Sequence, residues 1–591
     1  MEIFRAFFRI TLLPWVRLLY RLRVLHADRV PTRGGALLVS NHVGYLDSFI
    51  LYAACPRPVR FVIVSRYMKF GAIRWFLDLF GAIPITPGKS RDAIRITADS
   101  LKRGEVVCIF PEGQLTRTGV MSPLKKGFEL IARQSGAPVV PVYMQGLWGS
   151  IFSGERGTYI RKWPHRLPWP VVVAFGEPSD AESADKSWAQ QSLRRASVEA
   201  FGAMPQLQSS VAASVVRSLK RHRRATCFAE HGKSVRRLRR HQVLSTAIAL
   251  AHRWKSGESP LGDESRIGLL LPGGIAPGLF NLGLILSGRV PVNLPFPSEP
   301  AGTLDAAGIA DAIRAANLKI VITSRAFAGA LGNADFDDVT LLDLGGEMNG
   351  AGLLTLFSER IRAFLEPSWW TIRRLGLSRQ LSPEPVWACV SEGKLKVYGD
   401  REILAESLRL TSGNWIESGE TWFCEQGLST FSEALWSLWL PALHQQGVAG
   451  RSWAVRAEPS LIETVCEIES VKRVVVSPKI LDTLAESEDT WHPELRQSIR
   501  SVLVPVESGD DLTLLDRRSD RVESVTGGRV CPYLVSDHGI VAISQPNPDP
   551  VPLPPDYQSQ PGHRIGSPGK LLPGLSGEGW EVDEAGFVDF S

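Results

Sequence analysis

Short apolar runs alternate with helical stretches along the first 205 residues, and this rhythm restricts the fold more than any other feature of the chain. The runs read GALLVSN, VRFVIVS, VVCIFP, APVVPVYM and PVVVAFG. Each has the length and composition of a buried strand, and the segments between them have helical patterns. Such alternation predicts an α/β domain.

The length of the chain implies more than one domain. A chain of 591 residues exceeds what a single hydrophobic core usually supports, so two to four domains are expected. RIGLLLP, LKIVITS and VKRVVVS are candidate strands of a second α/β region. We predict an amphipathic helix over residues 1–25, an α/β domain over 26–205, a basic helical connector over 206–241 and a second α/β domain over 242–591.

The net charge of +6 conceals an asymmetry between the two parts of the chain. Residues 1–250 carry 38 Lys and Arg against 16 Asp and Glu, a balance of +22, and the remainder carries 29 against 45, a balance of −16. A basic first part implies an anionic partner, which is a nucleic acid, a phosphate-bearing substrate or an anionic membrane surface. The basic tract within 206–241 is either a solvated connector or a membrane-facing patch.

The N-terminal sequence MEIFRAFFRITLLPWVRLLYRLRVL favours the membrane surface. Its longest uncharged run is seven residues, far below the roughly 20 that a bilayer span needs. Arg5 and Arg9, and likewise Arg17 and Arg21, lie on one face of a helix because they are four residues apart. An apolar helix with a basic stripe is typical of an interfacial helix. The alternative is a helix packed on its own domain.

Residues 267–288 have no charged side chain over about the length of a membrane span. Pro and Gly residues interrupt this segment, which is better interpreted as a buried strand, a Pro-Gly-Gly turn and a buried helix.

The seven cysteines form no CxxC pair and no Cys/His cluster. This scattered distribution is typical of a reducing cytoplasm and argues against a disulfide framework or a structural zinc site.

The segment LVSNHVGYLDSF, at 38–49, places His42 five residues before Asp47. On a continuous helix these side chains would lie roughly 140° apart. They can pair if His42 lies in a strand-to-helix turn, which Gly44 permits. An imidazole held by a carboxylate is well suited to take a proton from an alcohol. The alternative interpretation is a histidine that caps a strand.

Four blocks in the first 205 residues resemble those of the glycerolipid (phospholipid/glycerol) acyltransferases. NHVGYLD resembles the HxxxxD motif, GAIPITP the second block, FPEGQLTRTG the FPEG motif and APVVPVYMQG the fourth block. The blocks follow one another in the family's order over about 105 residues. This resemblance implies a glycerolipid-acyltransferase α/β domain.

The resemblance implies a role for each matching residue. His42 would be the general base on the glycerol hydroxyl of a lysophospholipid, and Asp47 would hold that histidine. Glu112 and Gly113 would line the site and help to bind the glycerol substrate. The hydroxyl would attack the thioester of acyl carrier protein or CoA without an acyl-enzyme, and no cofactor or metal would be bound.

Phosphate recognition is expected to depart from the family pattern. Many members have an arginine directly after the Glu-Gly pair and another in the second block, where this chain has Gln114 and the uncharged IPITP. Arg117, Lys125 and Lys126 are candidates for the phosphate. The alternative for each lysine is a solvated basic face. A lysophospholipid with a larger head group than lysophosphatidate is therefore also a candidate acceptor.

The second half resembles the acyl-CoA and acyl-ACP synthetases, the adenylate-forming family, through SRIGLLLPGGIAPGLFNLGLILSGRVPVNL and IRAANLKIVITSRAF. Three of that family's features are altered. The Ser/Thr/Gly-rich phosphate loop reads WACVSEGKLKVYG, the later Tyr-Gly-x-Thr-Glu tract reads PYLVSDHGIVAIS, and the chain ends where the C-terminal lid would follow. We expect a truncated, non-catalytic, adenylate-forming-like α/β domain.

Two functions follow from these resemblances, and a third follows from the basic first part of the chain. The first is an O-acyltransferase that acylates lysophosphatidylethanolamine or lysophosphatidate at the cytoplasmic face of the inner membrane, as a peripheral or monotopic protein. The second is a bifunctional acyltransferase and acyl-ACP synthetase, and the third is a non-catalytic membrane-binding module. A nucleic-acid partner would not explain the four ordered blocks.

Overall fold

The computed structural model describes residues 14–65, 81–86, 91–155, 168–256, 259–297, 304–330, 338–413, 415–416, 419–425, 427–510, 512–536, 538–548, 558–565, 567–577 and 579–589. The chain divides into two compact units. Unit 1 consists of residues 1–205, 409–415 and 542–591, and unit 2 of residues 206–408 and 416–541.

The elements follow one another in the order expected for α/β units. Up to residue 205 they are β1 Leu22–Leu25, β2 Ala36–Ser40, α1 Asp47–Ala54, β3 Val59–Val64, β4 Ile83–Ile85, α2 Arg91–Lys102, β5 Val106–Ile109, α3 Gly127–Ser135, β6 Val139–Gln145, β7 Val171–Phe175 and α4 Lys186–Gly202. They continue with α5 Val211–Leu219, β8 Thr226–His231, β9 Val235–Arg239, α6 Arg240–Lys255, β10 Arg266–Leu270, α7 Ile275–Ser287, β11 Val290–Asn293, α8 Ala306–Ala315, β12 Ile320–Thr323, α9 Arg325–Ala330, β13 Thr340–Asp343, α10 Leu344–Gly350, α11 Leu353–Leu365, α12 Ser368–Arg374, β14 Trp387–Ser391, β15 Lys394–Tyr398 and α13 Asp400–Thr411. The last are β16 Thr421–Cys424, α14 Phe431–Ala434, α15 Leu440–Leu443, β17 Gly447–Arg451, α16 Pro459–Ile468, β18 Arg473–Val475, α17 Pro478–Glu486, α18 Pro493–Ser498, β19 Ser501–Val506, α19 Leu512–Thr526, β20 Arg529–Ser536, β21 Gly539–Ile543, β22 Lys570–Leu571, β23 Glu581–Val582 and β24 Val588–Asp589.

Unit 1 is built on a seven-stranded sheet in the order β1-β7-β6-β2-β5-β3-β4. The central strand β2 runs parallel to both of its neighbours, β5 and β6. Successive residues of β2 enter separate cores, because Leu38 packs on one face with α1 and Leu37 packs on the other with α2, α3 and α4. A strand that is buried on both faces explains the continuous apolar run ALLV.

The N-terminal prediction is corrected in part. Residues 14–19 are helical, but Leu22–Leu25 forms β1, which pairs in parallel with β7 at the edge of the sheet. The guanidinium of Arg17 donates to the carbonyl of Ala53 at 2.6 Å, so this arginine holds the helix to unit 1. Residues 1–13, with Arg5 and Arg9, lie outside the described residues.

Unit 2 contains two further sheets. One has the order β13-β12-β10-β11-β14-β15 and is parallel except for the β14–β15 hairpin. The other has β21 beside β20 and continues in the order β19-β18-β16-β17-β8-β9. The prediction of an α/β fold is therefore confirmed for both units.

Residues 206–241 are not the helical connector that we predicted. Residues 211–219 form α5, but β8 and β9 form an antiparallel hairpin at the edge of the second sheet of unit 2. The basic residues of β9, VRRLR, are mostly exposed. A charged edge strand is a common feature of sheets because it opposes pairing with other chains.

Residues 542–591 belong to unit 1, whereas we predicted them as part of the second domain. Asp583 accepts a hydrogen bond from Arg194 at 3.0 Å through its carbonyl, and Glu584 forms an ion pair with Lys186. Both partners lie on α4, so this C-terminal segment completes a surface of unit 1.

The uncharged segment 267–288 has the predicted structure. It consists of β10, a turn and the helix α7, whose residues are almost all buried. In the part of the chain that the structure describes, we find no helix with the length and hydrophobicity needed to cross a membrane.

Candidate active site

The carboxyl ends of neighbouring parallel strands bring the first and third sequence blocks together. His42 follows β2 by two residues, and Glu112 follows β5 by three. Because β2 and β5 are adjacent and parallel, both residues emerge at the same edge of the sheet. This edge is where open α/β sheets usually bind ligands.

The two remaining blocks lie at different positions in the strand order of the sheet. The fourth block forms β6, which is paired with β2 on its other side. The second block forms β4, which is separated from β5 by β3. Residues 87–90 of that stretch lie outside the described residues.

The structure brings His42 and Asp47 into direct contact. The distance between His42 Nδ1 and Asp47 Oδ2 is 2.8 Å. The Asp47 carboxylate also accepts the backbone N–H groups of Val43 at 2.6 Å and Gly44 at 3.0 Å. Its side chain is 1% exposed, whereas that of His42 is 23% exposed. A buried carboxylate thus fixes one nitrogen of an imidazole that solvent can reach.

Gly44 is needed at the turn because of close packing. A Cβ on Gly44 would lie 2.8 Å from the carbonyl oxygen of Phe152, a distance that real Cβ atoms do not reach. The next residue, Tyr45, donates its N–H to the same oxygen. Gly44 therefore lets the turn lie against this backbone while its own N–H bonds to Asp47.

Glu112 supports the turn that carries His42. Its Oε1 accepts the backbone N–H of His42 at 2.8 Å, and its Oε2 accepts that of Ser122 at 2.6 Å. Burial raises the pKa of Glu112 to about 8, against the opposing effect of the N–H donors of Ser122 and His42. Both carboxyl oxygens have backbone partners, so Glu112 holds the turn that carries His42, and its contact with the glycerol substrate stays a prediction.

Two residues of the site had no role assigned from the sequence. Phe110 stacks on the imidazole of His42, with ring centroids 4.1 Å apart and planes 14° apart. The side chain of Asn41 bonds to the backbone of Met144 in both directions, at 2.8 and 3.1 Å. Asn41 and Phe110 are the first residues of the blocks NHVGYLD and FPEGQLTRTG, but motif spacing alone does not indicate these contacts.

The three basic candidates differ in their surroundings. Lys125 Nζ lies 2.7 Å from where a Cβ on Gly113 would stand, so its ammonium is beside that residue. Lys126 is exposed and precedes α3. The guanidinium of Arg117 donates to the carbonyl of Gln558 at 2.8 Å. Of the two lysines, Lys125 has the contact with the predicted site.

Residues 558–560 hold the loop that follows Gly113. Gln560 Oε1 accepts the backbone N–H of Arg117 at 2.7 Å, and Gln560 Nε2 donates to the Leu115 carbonyl at 3.2 Å. Next to Leu115, Thr116 donates its backbone N–H to the carbonyl of His42 at 3.0 Å. A short chain of hydrogen bonds therefore connects the C-terminal segment with the turn that carries His42.

In unit 2, the segment expected at the position of a phosphate loop is a tight hairpin. Ser391 pairs with Lys394 across β14 and β15. The two residues between them, Glu392 and Gly393, have φ values of 54° and 72°. This geometry is that of a two-residue hairpin turn, which leaves no loop of successive amides to surround a phosphate.

A cavity in unit 2 has an acidic lining. Glu230, Glu425 and Glu433 line it, together with Arg451, which is 3.6 Å from Glu425. Burial raises the pKa of Glu433. Glu230 accepts the N–H of Ile275 at the start of α7, so a side chain of the protein already occupies that helix terminus. Across the described residues, we find no cluster of His, Cys, Asp and Glu suited to hold a metal ion.

Comparison with known proteins identifies part of unit 1. The acyltransferase family model matches residues 21–145. A 1-acyl-sn-glycerol-3-phosphate acyltransferase of Bacillus subtilis is 32% identical over 128 residues, which are 21% of this chain and 62% of that protein. The chloroplastic 1-acyl-sn-glycerol-3-phosphate acyltransferase BAT2 of Brassica napus is 30% identical over 122 residues, 20% of this chain and 35% of that protein. The chain thus covers less than two thirds of the length of these relatives.

Solved structures of adenylate-forming enzymes are also similar to the chain. A fatty acyl-adenylate ligase from L. pneumophila has a TM-score of 0.43 and 12% identity and covers 57% of each chain. The nonribosomal peptide synthetase FmoA3 has a TM-score of 0.46 and 15% identity and covers 70% of this chain and 39% of its own.

The family match includes β2, the His42–Asp47 turn, β5, Glu112 and all of β6. Residues 21–145 of this chain therefore match the acyltransferase family model over the part of unit 1 that holds the candidate site.

Proposed function

We propose that this protein is an O-acyltransferase that moves a fatty acyl group from a thioester of acyl carrier protein or CoA to the glycerol hydroxyl of a lysophospholipid. The observation that carries the proposal is the contact between buried Asp47 and partly exposed His42 at 2.8 Å. Lysophosphatidylethanolamine and lysophosphatidate are the candidate acceptors. Acyltransferases of this family need no cofactor, and the acyl thioester is a co-substrate.

The contact with Asp47 determines which nitrogen of His42 can act as a base. A carboxylate accepts hydrogen bonds, so Nδ1 carries the hydrogen and Nε2 presents a lone pair. Nε2 would take the proton of the acceptor hydroxyl as its oxygen attacks the thioester carbon. The negative charge of Asp47 would stabilise the imidazolium that forms.

Collapse of the tetrahedral intermediate completes the transfer. The carbon–sulfur bond breaks, the new ester remains on the glycerol, and the proton on Nε2 passes to the departing sulfur. The products are a diacyl phospholipid and a free thiol, and His42 returns to its starting state. No group of the protein becomes acylated in this sequence.

Lys125 is our candidate for the phosphate of the acceptor. Its ammonium lies beside Gly113, and a compact, flexible cation is suited to a phosphate. Arg117 bonds through its guanidinium to Gln558 and through its N–H to Gln560. We therefore expect the main role of Arg117 to be the ordering of the loop, and contact with the phosphate to be a minor role.

Two observations in unit 2 disfavour ATP-dependent activation of a fatty acid. The tight turn at Glu392 and Gly393 has no loop of amides to hold a triphosphate. The cavity has three carboxylates and one arginine in its lining, a charge balance that repels a polyphosphate. We propose that unit 2 has no synthetase activity.

The decisive experiment uses labelled acyl-ACP or acyl-CoA with a panel of lysophospholipids and compares the wild type, His42→Ala and His538→Ala. His538 is an exposed histidine outside the site and serves as the matched control. We expect transfer by the wild type and by His538→Ala and none by His42→Ala. The product also identifies the acceptor.

Other outcomes would contradict the proposal in different ways. Transfer by His42→Ala at the wild-type rate would refute the role of this histidine. No transfer from either donor to any acceptor would favour the membrane-binding module. Release of pyrophosphate from ATP with a fatty acid would show that unit 2 is active.

A further inference from the structure

Helix α11 of unit 2 turns its apolar face towards solvent. Leu353, Leu354, Phe357, Ile361 and Leu365 are all exposed, and the two leucines at the start of the helix are each 86% exposed. At 100° per residue these five side chains fall within an arc of about 120°. We call this continuous apolar surface the α11 stripe.

The opposite face of α11 is buried and carries a charge. Glu359 and Ala363 are each 1% exposed, and α11 packs on α6. Glu359 accepts hydrogen bonds from Arg374 at 2.7 and 2.9 Å and from Arg362 at 2.9 Å. These bonds fix the orientation of the helix. If the α11 stripe faced inward, the carboxylate of Glu359 would lose its arginine partners.

Two exposed tryptophans lie in the next helix. Trp369 and Trp370 lie in α12, are 54% and 47% exposed, and make an edge contact with ring centroids 5.6 Å apart. With the α11 stripe they make seven exposed large apolar side chains within residues 353–370, and a concentration of exposed apolar groups is a feature of interaction surfaces. Tryptophan is the side chain most typical of membrane–water interfaces.

Two arginines, which we call the basic tract, lie at the C-terminal end of α11 beside a buried lysine. The ammonium of the buried Lys220 donates to the carbonyl of Glu366 at 2.7 Å and also to those of Arg362 and Ala363. Arg223 and Arg224 lie over the ring of Phe364, at 5.6 and 5.7 Å from its centroid.

The acidic groups near the α11 stripe are compensated. Glu359 is held by Arg374, and Glu366 lies within 3.4 Å of Arg374 and 3.9 Å of Arg362. Exposed cations, among them Arg224 and Arg360, add to the positive charge of this surface. The surroundings of the stripe are therefore basic.

We propose that the α11 stripe and the tryptophans of α12 form a docking surface for an anionic phospholipid bilayer, with the stripe inserted among the head groups and the basic tract over anionic lipid. An apolar helical face bordered by arginines is typical of interfacial membrane binding. The charge complementarity selects lipid over a second copy of the chain, because two copies would bring their basic tracts together. The inference does not depend on the acyltransferase activity.

The position of the surface is tested by a fluorescent label on the full-length chain. All seven native cysteines are buried, so a cysteine introduced by Phe357→Cys is selectively accessible to a nitrobenzoxadiazole reagent. Ile468→Cys provides the matched control, because Ile468 is an exposed apolar residue elsewhere in unit 2. With phosphatidylglycerol/phosphatidylcholine vesicles, we expect a blue shift and an emission increase of at least two-fold at position 357 and no change at 468.

Vesicle flotation tests the contribution of the α11 stripe and of the charge. Leu354→Ser combined with Phe357→Ser is expected to lower the partition coefficient at least five-fold, and Ile468→Ser to leave it unchanged. Arg224→Glu is expected to lower binding to the anionic vesicles, whereas Arg517→Glu, at an exposed arginine of α19, is not. Binding is expected to weaken with added salt.

Two results would overturn the inference. The first is a label at 357 that remains in water while the chain is bound to vesicles. The second is a dimer, detected by sedimentation without lipid, that Leu354→Ser dissociates, since the occupant of the surface would then be a second copy. Acyl transfer in detergent micelles is measured in parallel. Its loss in His42→Ala with unchanged vesicle binding would show that the two proposals stand separately.

Discussion

Replacement of Asp47 by asparagine tests the central contact of the site with little change in shape. The carboxylate accepts three donors, the Nδ1–H of His42 and the N–H groups of Val43 and Gly44, at 2.6 to 3.0 Å. An asparagine offers one acceptor oxygen and an NH₂ group that only donates. His42 Nδ1 and the N–H of Val43 bond to the same oxygen, Oδ2, so an asparagine whose oxygen takes that position keeps both donors and loses the negative charge.

The expected loss follows from the missing charge. Without the carboxylate of Asp47, the imidazolium that forms when His42 takes the proton of the acceptor hydroxyl is no longer stabilised, so His42 is a weaker base. General base catalysis typically contributes 10²–10⁴-fold, so we expect kcat to fall by about that factor. A backbone donor left without its partner would cost about 1–3 kcal/mol of folding free energy, which corresponds to a decrease of a few °C in Tm.

Steady-state transfer and thermal denaturation separate the two effects. Asp47→Asn, His42→Ala and the double variant are compared with the wild type. Because the pair acts as a unit, the double variant is expected to be no slower than His42→Ala. Asp47→Asn that retains more than a tenth of the wild-type kcat, or losses that multiply in the double variant, would refute the reasoning.

Three other perturbations test the surroundings of the pair. Burial raises the pKa of Glu112 from its ordinary value of 4.5 to about 8, so the unfolded chain loses this proton first and the free energy of unfolding falls as the pH rises from about 4.5 to 8. The full shift is worth about 5 kcal/mol. Urea denaturation at several pH values should show this decrease in the free energy of unfolding in the wild type and not in Glu112→Gln. An equal decrease in both proteins would contradict the prediction. Gly44→Ala should lower activity at least ten-fold in the transfer assay, because its Cβ would stand 2.8 Å from a carbonyl oxygen, whereas Gly127→Ala, with open space at its Cβ, should be neutral; an active Gly44→Ala would exclude the close approach. Gln560→Ala should lower kcat several-fold and leave the Tm within a few °C, because it frees the loop next to the His42 turn; an unchanged kcat would show that residues 558–560 only cover the surface.

The parts of the site that the sequence predicts are those close together along the chain. His42 and Asp47 are five residues apart, and the strand before them is visible as an apolar run, so their pairing follows from local geometry. The contact between His42 and Glu112 spans 70 residues. The family resemblance predicted that both residues belong to the site, but not this hydrogen bond. Gln560 lies 443 residues from Arg117, and nothing in the local pattern connects the two.

The surface of unit 2 shows a different limit of sequence reasoning. An amphipathic pattern over residues 353–365 gives the periodicity of a helix, but it does not state which face turns inward. Here the inward face carries Glu359, whose partner Arg374 lies in the next helix. The basic residues of β9 were interpreted as helical for a related reason. A high density of charged side chains indicates exposure to solvent, but it does not distinguish a helix from an edge strand.

The discontinuity of unit 1 has a consequence for its biosynthesis. Residues 542–591 of this unit are translated after residues 206–541, and at roughly 5–20 residues per second the delay is on the order of tens of seconds. During this time the nascent first segment has no Gln560 for Arg117 and no Glu584 for Lys186. The site is therefore completed after unit 2 has been made. A fragment ending at residue 205 would correspond to an intermediate of synthesis, in which the loop beside His42 lacks its hydrogen bonds to Gln560.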